Sequence, residues 1–171
     1  AGLYRQAMAF GDREMIAQDD LHLTFDETFA RAAALATALR ERYSVQSGTR
    51  VAVVTSNRAE WIIATVAITS IGGIAALVNS RGAAEEMIRA ISSVECAVVI
   101  LDADRADIIA GEQPDPEWPR IIIGESQSPL RADIDADFGA LTAGGGVFVP
   151  GDTDPEDGAI ILFTSGTTGF P

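Results

Sequence analysis

Cysteine occurs once in the 171 residues, at Cys96, so no intrachain disulfide can form and zinc-type ligand spacing is absent. Histidine also occurs once, at His22. Basic side chains are scarce, twelve against twenty-five acidic ones, for a formal charge of −13. Such a surface repels polyphosphate backbones and anionic membranes, which argues against a nucleic-acid or lipid-surface role. It does not argue against ATP, a small anion that a local nest of backbone N–H groups can hold despite the global charge. Uninterrupted apolar runs are missing too. The longest, Trp61 to Leu77, is broken by Thr, Ser and Gly72-Gly73, and it predicts a helix followed by a strand rather than a membrane span. No basic-then-apolar leader opens the chain, so a cytoplasmic location is expected.

What is present is a hydrophobic fraction of 47%, enough for one α/β core at this length. Thr24-Phe25-Asp26-Glu27 has the spacing of a capping box, with Phe29, Ala33, Ala36 and Tyr43 following near helical period. Gly48 closes that unit, and Val51-Ala52-Val53-Val54 predicts a strand buried on both faces. Asn57-Arg58-Ala59-Glu60 predicts a second capped helix start, and Gly72-Gly73 its end, before a strand over 74–78. A third helix is expected over Ala83 to Ser93, then strands at Val98–Leu101 and Ile121–Ile123. Cys96 stands at the entry to one of these apolar runs, the place of a buried structural thiol rather than a nucleophile. Strands alternating with helices at this spacing predict an α/β fold with a largely parallel sheet flanked by helices.

From about Gly111 to Asp157, six prolines and Gly144-Gly145-Gly146 break any long element, with Phe138 and Leu141 expected to pack a short helical turn. Asp152, Asp154, Glu156 and Asp157 lack the spacing of a calcium loop and predict a solvated acidic turn. His22 is expected at the surface or a sheet edge, and Trp61 and Trp118 against the core.

The chemistry concentrates at 159–171, where an apolar strand runs into Thr164-Ser165-Gly166-Thr167-Thr168-Gly169. Gly166 and Gly169 permit backbone angles that let successive N–H groups converge on an anion, and the hydroxyls suit phosphate oxygens. Spacing alone leaves two readings open, a phosphate nest and a polar hairpin turn. It is not a G-x-x-x-x-G-K-[ST] loop, because no lysine follows the second glycine.

The run Leu162 to Pro171 resembles the signature loop of the adenylate-forming (AMP-binding) superfamily, T-S-G-T-T-G-x-P-K-G, at every position present. Leu23-Thr24-Phe25 resembles the family's L-T-Y-x-E-L opening, with Thr28 at a usually apolar place. Asn57 to Trp61 resembles its N-x-x-E-W helix start. Residues 67–81 are similar to its A-x-L-K-A-G-A-x-x-x-P-x-N-x-R segment, departing at Ser70, Ile71 and Val78.

The resemblance implies the first part of the family's large N-terminal domain over residues 1–171, ending at the phosphate-binding loop. It implies an ATP-dependent acid–thiol ligase of the acyl-CoA synthetase kind. A carboxylate attacks the α-phosphate of Mg-ATP to give acyl-AMP and pyrophosphate, and coenzyme A then displaces AMP. Thr164, Ser165, Gly166, Thr167, Thr168 and Gly169 would hold the β- and γ-phosphates, whereas the magnesium ligands are left open between Thr164 and Thr167. No catalytic residue is expected within the chain, since the family's adenine, ribose and carboxylate contacts lie on later motifs. The expected partners are therefore a small carboxylate, ATP, Mg2+ and coenzyme A, with the isolated chain inactive and prone to self-association. The alternatives are an aminoacyl-adenylating domain of a peptide synthetase and a non-catalytic nucleotide-binding module.

Overall fold

The β-branched run at Val51–Val54 becomes a central strand because both of its faces find apolar cover. The computed structural model describes residues 2–112, 117–131 and 134–163. A short helix α1 (Gly2–Ala7) leads to an antiparallel hairpin, β1 (Glu14–Gln18) and β2 (Leu21–Thr24). There follow α2 (Phe25–Tyr43), β3 (Arg50–Val54), α3 (Ala59–Ser70), β4 (Ile74–Leu77), α4 (Ala84–Ser93), β5 (Val98–Asp102) and α5 (Ala103–Ala110). The remainder is β6 (Arg120–Ile123), β7 (Ala136–Asp137), α6 (Phe138–Thr142) and β8 (Ile160–Leu162). Six strands form a sheet in the order β7-β6-β5-β3-β4-β8, every pair parallel. The expected α/β architecture is therefore the one observed.

Alternation along β3 explains the two layers. Val51 and Val53 join the apolar cluster beneath α2 and α3, while Ala52 and Val54 join the cluster beneath α4 and α5. The first layer is finished by aromatic packing. Phe148 stacks on Phe29 with ring centroids 4.6 Å apart, and Tyr4 meets both rings edge-on. Phe148 arrives there on a strap, residues 143–158, that crosses α2 where its residues are small. A side chain at Gly146 would come within 3.1 Å of Ala33 Cβ and 3.3 Å of the Ala34 backbone nitrogen, so a crossing this close favours glycine.

The start of α2 follows its sequence. Thr24 Oγ1 accepts from the Glu27 backbone N–H at 3.2 Å, and Glu27 Oε2 accepts from that of Thr24 at 2.8 Å. The start of α3 does not. Its N-cap is Arg58, whose side chain makes no cap bond and instead pairs with Glu60. The free Ala59 N–H is capped by Gln18 Oε1 at 2.7 Å, from the hairpin. Hairpin and α5 went unread in the sequence. Each is short, and α5 follows β5 with no turn residues between them.

Candidate functional site

Parallel pairing brings the exits of β3, β4, β5, β6 and β8 to one edge of the sheet. In open parallel sheets ligands bind outside these carboxyl ends. β8 pairs with β4 in the register Ala75–Ile160, Ala76–Ile161 and Leu77–Leu162, which makes it the outermost strand on that side. Ile161 and Phe163 anchor it into the layer beneath α4 and α5. Ile160 and Leu162 point to the other face and are 49% and 72% exposed. The predicted phosphate-holding residues Thr164, Ser165, Gly166, Thr167, Thr168 and Gly169 lie outside the described residues. The strand that delivers the chain to them is described, and its carboxyl end is at the ligand edge of the sheet.

The same edge carries a polar junction that sequence reasoning missed. Asp102, 4% exposed, ends β5 and caps α5. Its Oδ2 accepts from the backbone N–H and the hydroxyl of Ser56, at 2.9 and 3.2 Å, and its Oδ1 accepts from the Arg105 backbone N–H at 3.2 Å. Arg105 Nη1 lies 3.4 Å from that oxygen, and Arg105 Nε donates to Ser80 O at 2.9 Å. The exits of β3, β4 and β5 are thus tied together. The signal was present in Leu101-Asp102-Ala103-Asp104, an acidic cap following an apolar strand. Nearby, a groove of about 440 Å³ opens between β1 and the start of α3, with Ile16, Trp61 and Ile62 as its apolar walls and Gln18, Asn57 and Arg58 as polar ones.

The strongest ionic cluster is at the opposite edge. Asp135, whose side chain is fully buried, accepts from the backbone and guanidinium of both Arg120 and Arg131 at 2.8 to 3.1 Å. Burial would raise its carboxyl pKa, but these hydrogen bonds outweigh it and hold the group well below the usual carboxylate range. Arg120 opens β6 at its amino end, so this cluster fastens the sheet's far side and does not face the ligand edge.

The other candidates fall as expected. Burial pushes the Cys96 thiol up to about 11, against a weaker opposing pull from Arg50, which marks an inert structural residue. His22 is exposed on the hairpin, 2.6 Å from Glu14. Trp61 packs against one apolar layer and Trp118 against the other. Asp152, Asp154, Glu156 and Asp157 are exposed, with Asp154 and Asp157 bonded within their own turn. Among the described residues, no helix is long and apolar enough to cross a membrane.

Comparison with known proteins agrees with this architecture. The family profile described as AMP-binding enzyme matches residues 3–171. A 3-[(3aS,4S,7aS)-7a-methyl-1,5-dioxo-octahydro-1H-inden-4-yl]propanoyl:CoA ligase of Rhodococcus jostii is 28% identical over 99% of the chain and 35% of its own length. A medium/long-chain-fatty-acid–CoA ligase of Mycobacterium tuberculosis is 26% identical over 97% of the chain and 27% of its own length. An anthranilate CoA ligase, solved with anthranoyl-AMP, superposes with a TM-score of 0.87 at 22% identity, over 99% of the chain and 32% of its own, a likeness of fold. The chain therefore spans about a third of the length of the relatives it matches.

Proposed function

The chain belongs to the AMP-binding enzyme family, and from that premise we propose that it supplies the phosphate-holding part of an ATP-dependent acid–thiol ligase. The ligase activates a small carboxylate as acyl-AMP, releases pyrophosphate, and passes the acyl group to coenzyme A. The observation that carries the reading is β8, a parallel strand anchored on one face whose carboxyl end lies at the ligand edge, with Thr164–Gly169 following it in the sequence after Phe163. It is supported by relatives that are CoA ligases of diverse acids.

In this reading Thr164, Ser165, Gly166, Thr167, Thr168 and Gly169 surround the β- and γ-phosphates. Backbone N–H groups and hydroxyls are preorganised around the charge that develops on the departing pyrophosphate. Their contribution is positioning and electrostatic stabilisation, with no proton transferred. Mg2+, when bound, neutralises part of the same charge. The strand matters because a loop fixed at one end to a sheet holds its donors with less entropy lost on binding. The enzyme works in the cytoplasm.

The 171 residues alone carry the loop but not the adenine, ribose and carboxylate contacts that the resemblance places on later motifs, so alone they form no acyl-adenylate. Carboxylate-dependent exchange of pyrophosphate into ATP tests both parts. The product of the complete reading frame containing these residues should catalyse exchange, and form acyl-CoA and AMP when coenzyme A is added. The 171-residue chain should stay at the no-protein baseline. Exchange by the chain alone, or none by the complete product across aliphatic and aromatic acids, would overturn the proposal.

A further inference from the structure

The sheet has a topological switch point, and it is not where the phosphate loop departs. β3 connects through α3 to β4 on one side, while β5 connects through α5 to β6 on the other, and the two helices lie on opposite faces. The order in which strands are added reverses between the parallel neighbours β3 and β5, and the crevice outside such a pair of strands is the usual ligand position of open α/β sheets. Here that crevice holds the Asp102 carboxylate, 5% exposed. Donors surround it as they would a bound oxyanion: the N–H and hydroxyl of Ser56 on one oxygen, the N–H of Arg105 on the other, and the Arg105 guanidinium beside it.

We propose that Asp102 is a built-in anion that fills the switch-point crevice, closing it to ligands and fixing three strand exits. Deleting the carboxylate should therefore expose a site for a small oxyanion of the same shape. The inference is independent of the catalytic reading, since it holds whether or not the chain binds nucleotide. Its logic is that of charge complementarity. The buried carboxylate accepts from three donors and lies beside one guanidinium; removing it leaves the Ser56 and Arg105 N–H donors without their acceptor and leaves Arg105 only the exposed Asp104, 3.5 Å away, as an ionic partner. Arg105 would then lose its reason to hold Ser80 O, loosening the exit of β4 as well.

The test is chemical rescue of Asp102→Ala, with Asp102→Asn as the shape-conserving control. Thermal unfolding is followed in sodium formate and in sodium chloride at equal ionic strength. D102A should melt about 5 °C or more below the parent chain in chloride, as expected for losing charged hydrogen bonds in a chain of this size. Formate, rising to about 100 mM, should restore at least half of that loss with saturation, as a ligand bound only by the folded state does. The parent chain should respond equally to both salts, and so should D102N, whose carboxamide still occupies the space. If D102A does not fold in chloride, it must refold in formate. A D102A deficit that formate fails to reverse, failure to refold in either salt, or equal rescue of D102N or the parent chain would overturn the proposal.

Discussion

Replacing Asp135 by Asn should be the most damaging single substitution at the sheet's far edge, with a pH signature of its own. The carboxylate accepts six hydrogen bonds, three each from Arg120 and Arg131, and its side chain is fully buried. The Arg120 side chain is only 5% exposed, so water cannot replace its lost partner, whereas that of Arg131, 28% exposed, can be partly solvated. Breaking a buried pair by neutralising one member costs about 3–5 kcal/mol. For a chain of this length that corresponds to roughly 6–20 °C in melting temperature.

The sign of the pH dependence follows from the depressed pKa of the folded state. The stabilisation is fully present above the unfolded-state carboxylate value of about 3.9 and is lost as pH falls through the lower folded value. Melting curves of the parent chain and D135N, recorded between neutral pH and the acid limit of folding, should therefore be furthest apart at neutral pH. They should begin to converge below about pH 4, where the unfolded chain takes up the proton while the folded carboxylate is still charged, and go on converging as pH falls towards the lower folded value. A D135N protein melting within about 2 °C of the parent at neutral pH would refute the reasoning, because the cited cost corresponds to several times that shift. So would a gap that stays constant down to the acid limit.

Gln18→Ala removes the long-range cap of α3. It should cost about 1 kcal/mol, the usual worth of an N-cap side chain, and speed amide exchange at Ala59 without unfolding α2; unchanged exchange there would sink the idea. The raised pKa of Cys96 predicts that a disulfide reagent at pH 8 labels the folded chain much more slowly than the urea-unfolded one, and equal rates would contradict the buried assignment.

Much of the sheet was legible because its strands are short apolar runs rich in Val and Ile and buried on both faces, as Val51–Val54 and Val98–Leu101 are. The capping box at Thr24 was legible for the same kind of reason: the signal is local. What escaped was non-local. Asn57 to Glu60 reads as a helix start with its own cap, yet the bond comes from Gln18, forty-one residues earlier in the chain. Asp102 reads as a strand end; its donors from Arg105 are three residues away, but the two from Ser56 become visible only when β3 and β5 are laid side by side. The run Thr164–Gly169 was the reverse case. Its residue types and order are plain in the sequence, and the structure adds only the strand that precedes it, whose own end lies at the sheet's carboxyl edge.

The central claim is that Thr164–Gly169, delivered by β8, holds the phosphates of ATP. It is tested most directly by Gly166→Val in the product of the complete reading frame, assayed by carboxylate-dependent pyrophosphate exchange with folding verified in parallel. A branched side chain at a glycine needed for converging N–H groups should cut the exchange rate by about 100-fold or more, the scale of losing preorganised donors. A well-folded variant that keeps exchange within about threefold of the parent would show that the phosphates are held elsewhere.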